Sequence, residues 1–149
     1  MSELHVSCAV QGAYVPHCAA MLLSLLAARG QHDLRVHYLH GPGLGDRAKR
    51  RLERMVTGQG AAIDFHEVGD DAVGDLPDHR HFTSAMWYRI FLPELVPGAD
   101  RVLYVDVDTL AVDALAPLWD VELGDHLLGA VTMRSRRRFA RVGRVGPCR

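Results

Sequence analysis

The sequence is short of cysteine, and the three it has, Cys8, Cys18 and Cys148, form no CxxC pair. That pattern argues against a disulfide framework and fits free thiols in a reducing cytoplasm, with Cys8 and Cys18 read as small buried apolar residues. No apolar run approaches the roughly 20 residues a membrane-spanning helix needs, so no integral membrane segment is expected. The start, "MSELHVSCAV", lacks the basic segment and small-residue cleavage site of a secretory signal. The expected location is therefore cytoplasmic, with peripheral attachment to a membrane as the alternative. No internal repeat occurs, and no lysine follows Lys49. The glycines of "GPGLGD" (41–46) do not form GxGxxG after a first strand, which argues against a dinucleotide site.

What is present is 149 residues, 48% of them apolar, enough for one globular domain with a sizeable core. The net charge of −1 conceals a break. From Arg134 onward there are seven arginines and no acid, which leaves ten basic residues against 18 acidic ones before it, a net of −8. Residues 1–133 are expected to form the domain and 134–149 a basic, disordered tail. The arginines carry no aromatic interleaving or amphipathic period, so a nucleic-acid partner is not expected.

Leu4, Val6, Cys8 and Val10 alternate as in a strand. Pro16 suits a first helical turn, and "HCAAMLLSLLAARG" follows with Gly30 as its stop. Leu34–His40 reads as a second strand. Asp46 is placed to cap a helix whose Ala48, Leu52, Met55 and Val56 share one face. "AAIDFHEV" (61–68) is a third strand and "GDDAVGDLPDHR" (69–80) a polar loop. Thr83 or Ser84 is placed to cap a helix through "AMWYRIFLPELV", disturbed near Pro93, with Trp87, Ile90, Phe91 and Leu95 as its core stripe. Arg101–Val105 is a strand, "LAPLWD" a turn, and "HLLGAVTM" (126–133) a last strand. This alternation predicts an α/β fold with a mostly parallel sheet flanked by helices, whose ligands bind at the carboxyl ends of the strands.

At one such end stand Asp106 and Asp108. Residues two apart on a strand face the same side, so the carboxylates converge, the more so where strand gives way to loop. Two like charges held close repel, and a divalent cation removes the conflict. Mg2+ or Mn2+ takes oxygen ligands, commonly one or two carboxylates plus substrate phosphates. The pair therefore reads as a metal site for a phosphorylated or nucleotide substrate, against the plainer alternative of two solvated aspartates capping a turn. A glycosidase pair fits the strand context poorly. The nine histidines, including His37, His40, His79 and His81, lack the partners and spacing of a structural zinc site.

Two families share this signal. "LYVDVDTL" resembles the first motif of haloacid-dehalogenase-type phosphatases, with Asp106 as nucleophile and Asp108 as general acid/base. That motif normally opens its domain and is served by a later lysine, which is absent here. The wider stretch from Met86 to Val131 resembles glycosyltransferase family 8, the bacterial lipopolysaccharide galactosyl- and glucosyltransferases and glycogenin. The resemblance rests on Tyr88-Arg89, Leu92-Pro93-Glu94-Leu95, Asp106-Val107-Asp108 and Leu115-Ala116-Pro117-Leu118-Trp119-Asp120, and covers roughly residues 4–133.

This resemblance implies a GT-A fold, incomplete here, and a metal-dependent, configuration-retaining transfer of hexose from UDP-glucose or UDP-galactose to an unknown sugar or lipid-linked acceptor. It implies Asp106 and Asp108 as ligands of Mn2+ (or Mg2+), with Asp106 and Val107 at the donor. Tyr14 and Ala9 would lie by the uracil, Arg89 at the donor sugar or phosphates, and His81 on the donor side. No catalytic residue is assigned. For Arg89 a salt bridge with a nearby acid is the alternative, and for Tyr14 a capping or packing role. Gln11 stands where the family usually has an acid at the uracil edge. The family's late His-x-x-Gly-x-x-Lys-Pro-Trp motif, with a third metal ligand and a diphosphate-contacting lysine, has no counterpart. The expectation is a C-terminally truncated member, with weak donor binding and little transfer, the tail arising from a frameshift. A non-catalytic nucleotide-binding remnant is the further alternative.

Overall fold

In the computed structural model, residues 3–74, 76, 84–131 and 142–143 are described. The chain forms two compact units, Met1–Trp119 and Asp120–Arg149. In the first, β1 (Glu3–Val10), β2 (Asp33–His40), β3 (Ala62–Glu67) and β4 (Leu103–Tyr104) make one parallel sheet in the order β3-β2-β1-β4. β1 runs between β2, aligned Glu3↔Asp33 through Val10↔His40, and β4, aligned Val6↔Leu103 and Ser7↔Tyr104.

The two central strands are buried along nearly their whole carboxyl halves, as parallel strands covered on both faces require. On one face Leu4, Val6, Cys8 and Val10 join Leu34, Val36 and Tyr38 beneath α1 (Val15–Ala28) and α2 (Asp46–Thr57). Helix α1 begins with Pro16 in its first turn, where a missing N–H costs nothing. It ends at Gly30, whose φ of +64° is a left-handed conformation that favours glycine. Helix α2 is capped by Gly45 without a side-chain bond, and Asp46, expected as the cap, is its first residue. There its carboxylate still favours the positive helix end.

On the other face Ala9, Leu39, Val68, Val73, Ala85 and Tyr88 form a second, smaller core at the carboxyl end of the sheet. The expected helix through 85–96 is instead two 3-10 turns, Ser84–Met86 and Tyr88–Phe91, followed by the single turn α4 (Leu92–Leu95). The buried residues explain this. Ala85 and Tyr88 are buried and Phe91 half-buried, three residues apart, which is the 3-10 period. Pro93, lacking an N–H, falls in the first turn of α4. Ile90, expected in the core stripe, is exposed, while Trp87 and Leu95 pack at the edge of the small core. Thr83 lies outside the described residues. The polar loop holds one helical turn, α3 (Asp70–Val73), because Val73 is buried in the small core.

The turn after β4 leads to α5 (Ala116–Trp119), fastened by the Leu115 N–H to the Ala28 carbonyl at the end of α1, 3.0 Å. In the second unit the expected strand 126–133 starts late, at β5 (Ala130–Val131), with residues 126–129 outside any strand. It pairs antiparallel with β6 (Val142–Gly143), which falls where a disordered tail was expected. The rest of 132–149 lies outside the described residues. No described helix is long and apolar enough to cross a membrane.

Candidate functional site

Beyond the carboxyl ends of β1 and β4 lies a cleft of about 330 Å³ lined by Ala9, Gln11, Tyr14, Ala85, Met86, Arg89, Tyr104, Asp106, Val107 and Asp108. Six residues marked as donor-binding from the sequence (Ala9, Gln11, Tyr14, Arg89, Asp106 and Val107) and both expected metal ligands meet here. His81 lies outside the described residues.

The carboxylates reach the cleft by a route other than strand alternation. Pairing with β1 stops at the Val105 N–H, which donates to the Ser7 carbonyl at 2.8 Å. Asp106 to Thr109 then form a turn in which the Thr109 N–H and hydroxyl both donate to the Asp106 carbonyl, at 3.2 and 2.7 Å. Val107 packs against the main core. The turn thus half-buries the middle residue of Asp-Val-Asp and leaves both aspartates exposed on the cleft.

Arg89 is held from three sides. Its Nε donates to the Met86 carbonyl at 2.9 Å, its Nη2 lies 3.3 Å from Asp106 Oδ1, and its guanidinium sits 4.3 Å over the Tyr104 ring. The ion pair is half open to water, so its worth is positional rather than energetic, while the flat aromatic face adds a cation–π contact. Burial pushes the Tyr104 hydroxyl up to about 12, against the pull of Arg89 and a hydrogen bond with the Ala9 backbone. Tyr104 therefore stays neutral and serves as a platform. Sequence reasoning missed it, along with Ala85 and Met86. Its position in the strand just before the aspartates was the available signal.

The backbone places Arg89 through its neighbour. Tyr88 is buried, and its hydroxyl approaches Gly41 at the end of β2 so closely that a Cβ there would lie 2.7 Å away. On the opposite wall, Gln11 Nε2 donates to the Ser84 hydroxyl at 3.0 Å, tying the β1–α1 turn to the first 3-10 turn. Tyr14 is 52% exposed, and its ring lies 5.6 Å from that of His17. An exposed ring here is open to a stacking partner.

The donor set is hard oxygen from two carboxylates, which suits Mg2+ or Mn2+ and not a thiolate-loving metal. Among the described residues no group of three or more His, Cys, Asp or Glu converges to hold an ion. The two aspartates therefore fit a cation that takes its remaining ligands from water, substrate oxygens or residues outside this set.

The architecture is that of a GT-A glycosyltransferase domain. The galactosyltransferase LgtC, solved in complex with donor and acceptor sugar analogues, superposes with a TM-score of 0.72 at 30% identity, over 83% of this chain and 44% of that one. Its active-site mutant Q189E gives 0.74 at 29% identity over the same shares. The sequence profile of Glycosyl transferase family 8 matches residues 5–144, and the chain belongs to that family. General stress protein A of Bacillus subtilis (strain 168) is 31% identical over 129 residues, 85% of this chain and 44% of that protein. Probable galacturonosyltransferase 14 of Arabidopsis thaliana is 49% identical over 43 residues, 29% of this chain and 8% of that one. The chain thus spans less than half the length of these relatives. The family match displaces the phosphatase alternative.

Proposed function

We propose that the cleft binds the diphosphate of a UDP-sugar together with Mn2+ or Mg2+, for metal-dependent, configuration-retaining transfer of a hexose to a sugar or lipid-linked acceptor. The observation that carries this reading is the convergence of Asp106, Asp108 and Arg89 on one cleft whose far wall is an exposed aromatic, Tyr14. Asp106 and Asp108 would hold the cation. Once bound, it would act as a Lewis acid, neutralising charge on the departing diphosphate.

The chain's own groups divide the remaining work. Arg89 supplies a fixed positive charge beside the phosphates, oriented by Tyr104 and the Met86 carbonyl before any ligand arrives. Tyr14 offers a stacking face for the base. The Gln11 amide offers both a donor and an acceptor to a base edge, where a carboxylate would only accept. UDP-glucose and UDP-galactose are the donors proposed, in keeping with the galactosyltransferase likeness.

Calorimetry with UDP tests the reading. UDP binding is expected to require Mn2+, and Asp108→Ala is expected to weaken it at least tenfold while the melting temperature holds. Metal-independent binding of equal strength, or no effect of Asp108→Ala, would overturn the assignment.

A further inference from the structure

Cys8 in β1 and Cys18 in α1 are both fully buried free thiols, and their Sγ atoms are 3.6 Å apart. We infer that Cys8 and Cys18 are a modification site for a neutral peroxide: a reversible disulfide that closes a ring around the cleft-lining segment Ala9–Tyr14.

The sulfurs are already in van der Waals contact, so closure asks for a short approach rather than a rearrangement. The ring contains Ala9, Gln11 and Tyr14, three of the residues that form the cleft wall. A third group faces the pair. Tyr38 aligns with Cys8 across the β1–β2 ladder, is fully buried, and its hydroxyl lies against the Cys18 sulfur without a fully formed hydrogen bond among the described residues. It supplies an O–H donor next to the sulfurs, suited to a peroxide oxygen. Contact with Cys18, burial and the neighbouring charge keep Cys8 as a thiol, its pKa raised well above the ordinary value. The Tyr38 hydroxyl contacts Cys18, so Cys18 is assigned as the sulfur that meets the peroxide and Cys8 as the one that resolves it.

The thiolate of Cys18 attacks one peroxide oxygen, the O–O bond breaks, and the hydroxide released takes up the proton Cys18 gave away, leaving Cys18 as a sulfenic acid and one water. Cys8 sulfur then attacks Cys18 sulfur, and the sulfenic hydroxyl leaves with the Cys8 proton as a second water. Two thiols are oxidised and one peroxide is reduced. Burial selects the oxidant, since a small neutral peroxide can reach these sulfurs where a bulky charged disulfide is kept out. A dithiol reverses the bond.

The test uses the full chain carrying Cys148→Ser. After hydrogen peroxide and a catalase quench, the denatured protein is alkylated, digested and weighed. The expected product is a Cys8–Cys18 cross-linked peptide, lighter by two hydrogens, that dithiothreitol restores and Cys8→Ser abolishes. Amide hydrogen exchange over Gln11–Tyr14 is expected to slow several-fold in the oxidised form. Full alkylation of both cysteines after peroxide, separate oxidation of each to sulfinic acid, or a disulfide with unchanged exchange would each overturn the inference. None of these readouts depends on donor binding.

Discussion

At Arg89 a single cation serves two partners that do not coexist easily. It pairs with Asp106 at 3.3 Å, occupying one of the carboxylate oxygens a metal would need. On the proposed reading a bound cation would compete with the guanidinium for Asp106, and Arg89 would give up that contact while keeping its place over Tyr104 beside the phosphates. This gives opposite signs for one substitution. Arg89→Ala is expected to raise Mn2+ affinity several-fold without nucleotide, read by the free-ion resonance signal. It is expected to weaken UDP binding several-fold when Mn2+ is saturating. A fall in both affinities would mean that Arg89 chiefly holds the turn together. Of the two roles raised by the sequence for Arg89, the structure shows the salt bridge, and donor binding is the role proposed for the loaded site.

Among the elements, the contact that aims Arg89 is the tight approach of Tyr88 to Gly41. A Cβ at Gly41 would lie 2.7 Å from the Tyr88 hydroxyl but 3.8 Å from the ring carbon that bears it, an ordinary contact distance. Gly41→Ala is therefore expected to destabilise the domain by about 1–3 kcal/mol through overpacking. Adding Tyr88→Phe should return most of that loss, because the clash is with the hydroxyl alone. Denaturant titration of the two single variants and the double variant closes the cycle. Simple additivity would show that the clash is relieved elsewhere. The longer elements were legible for a plain reason. β1, β2, α1 and α2 have clear periods, and their observed ends fall within about two residues of the expected ones. The stretch 84–95 was not legible as 3-10 turns, because Trp87, Ile90, Phe91 and Leu95 also fit a helical face. Only the sheet shows that Ala85 and Tyr88 are the residues to be buried.

For the whole molecule, the sheet carries a row of histidines that no motif announced. His5, His37 and His66 stand on neighbouring strands, linked by ring nitrogens at 2.9 and 3.1 Å. Arg35 bridges Glu3 and Asp64 beside them. Burial, then the neighbouring His66 and His5, lower His37 to about 4, and burial likewise lowers His66. Unfolded, both take up protons near their ordinary value of about 6.5, whereas the folded protein resists. The unfolded state then binds more protons, so stability is fully present above about pH 6.5 and is lost as pH falls toward 4. Melting temperature is expected to drop between pH 7 and 5, and the slope to flatten in His37→Gln. A flat profile in the wild-type protein would remove the row from the stability balance.

The sequence by itself determined the α/β class, the family likeness and seven of the ten cleft residues, because those depend on periodicity and on short family-like runs such as Asp106-Val107-Asp108. Tertiary structure decided which residues touch. The strand order β3-β2-β1-β4 places Tyr104 beside β1, under Arg89 and against the Ala9 backbone. The packing of α1 on β1 brings Cys8 to Cys18, and the parallel register aligns three histidines from separate segments. Such contacts join residues from about 10 to about 95 positions apart, and a local pattern holds no record of them until the sheet is assembled.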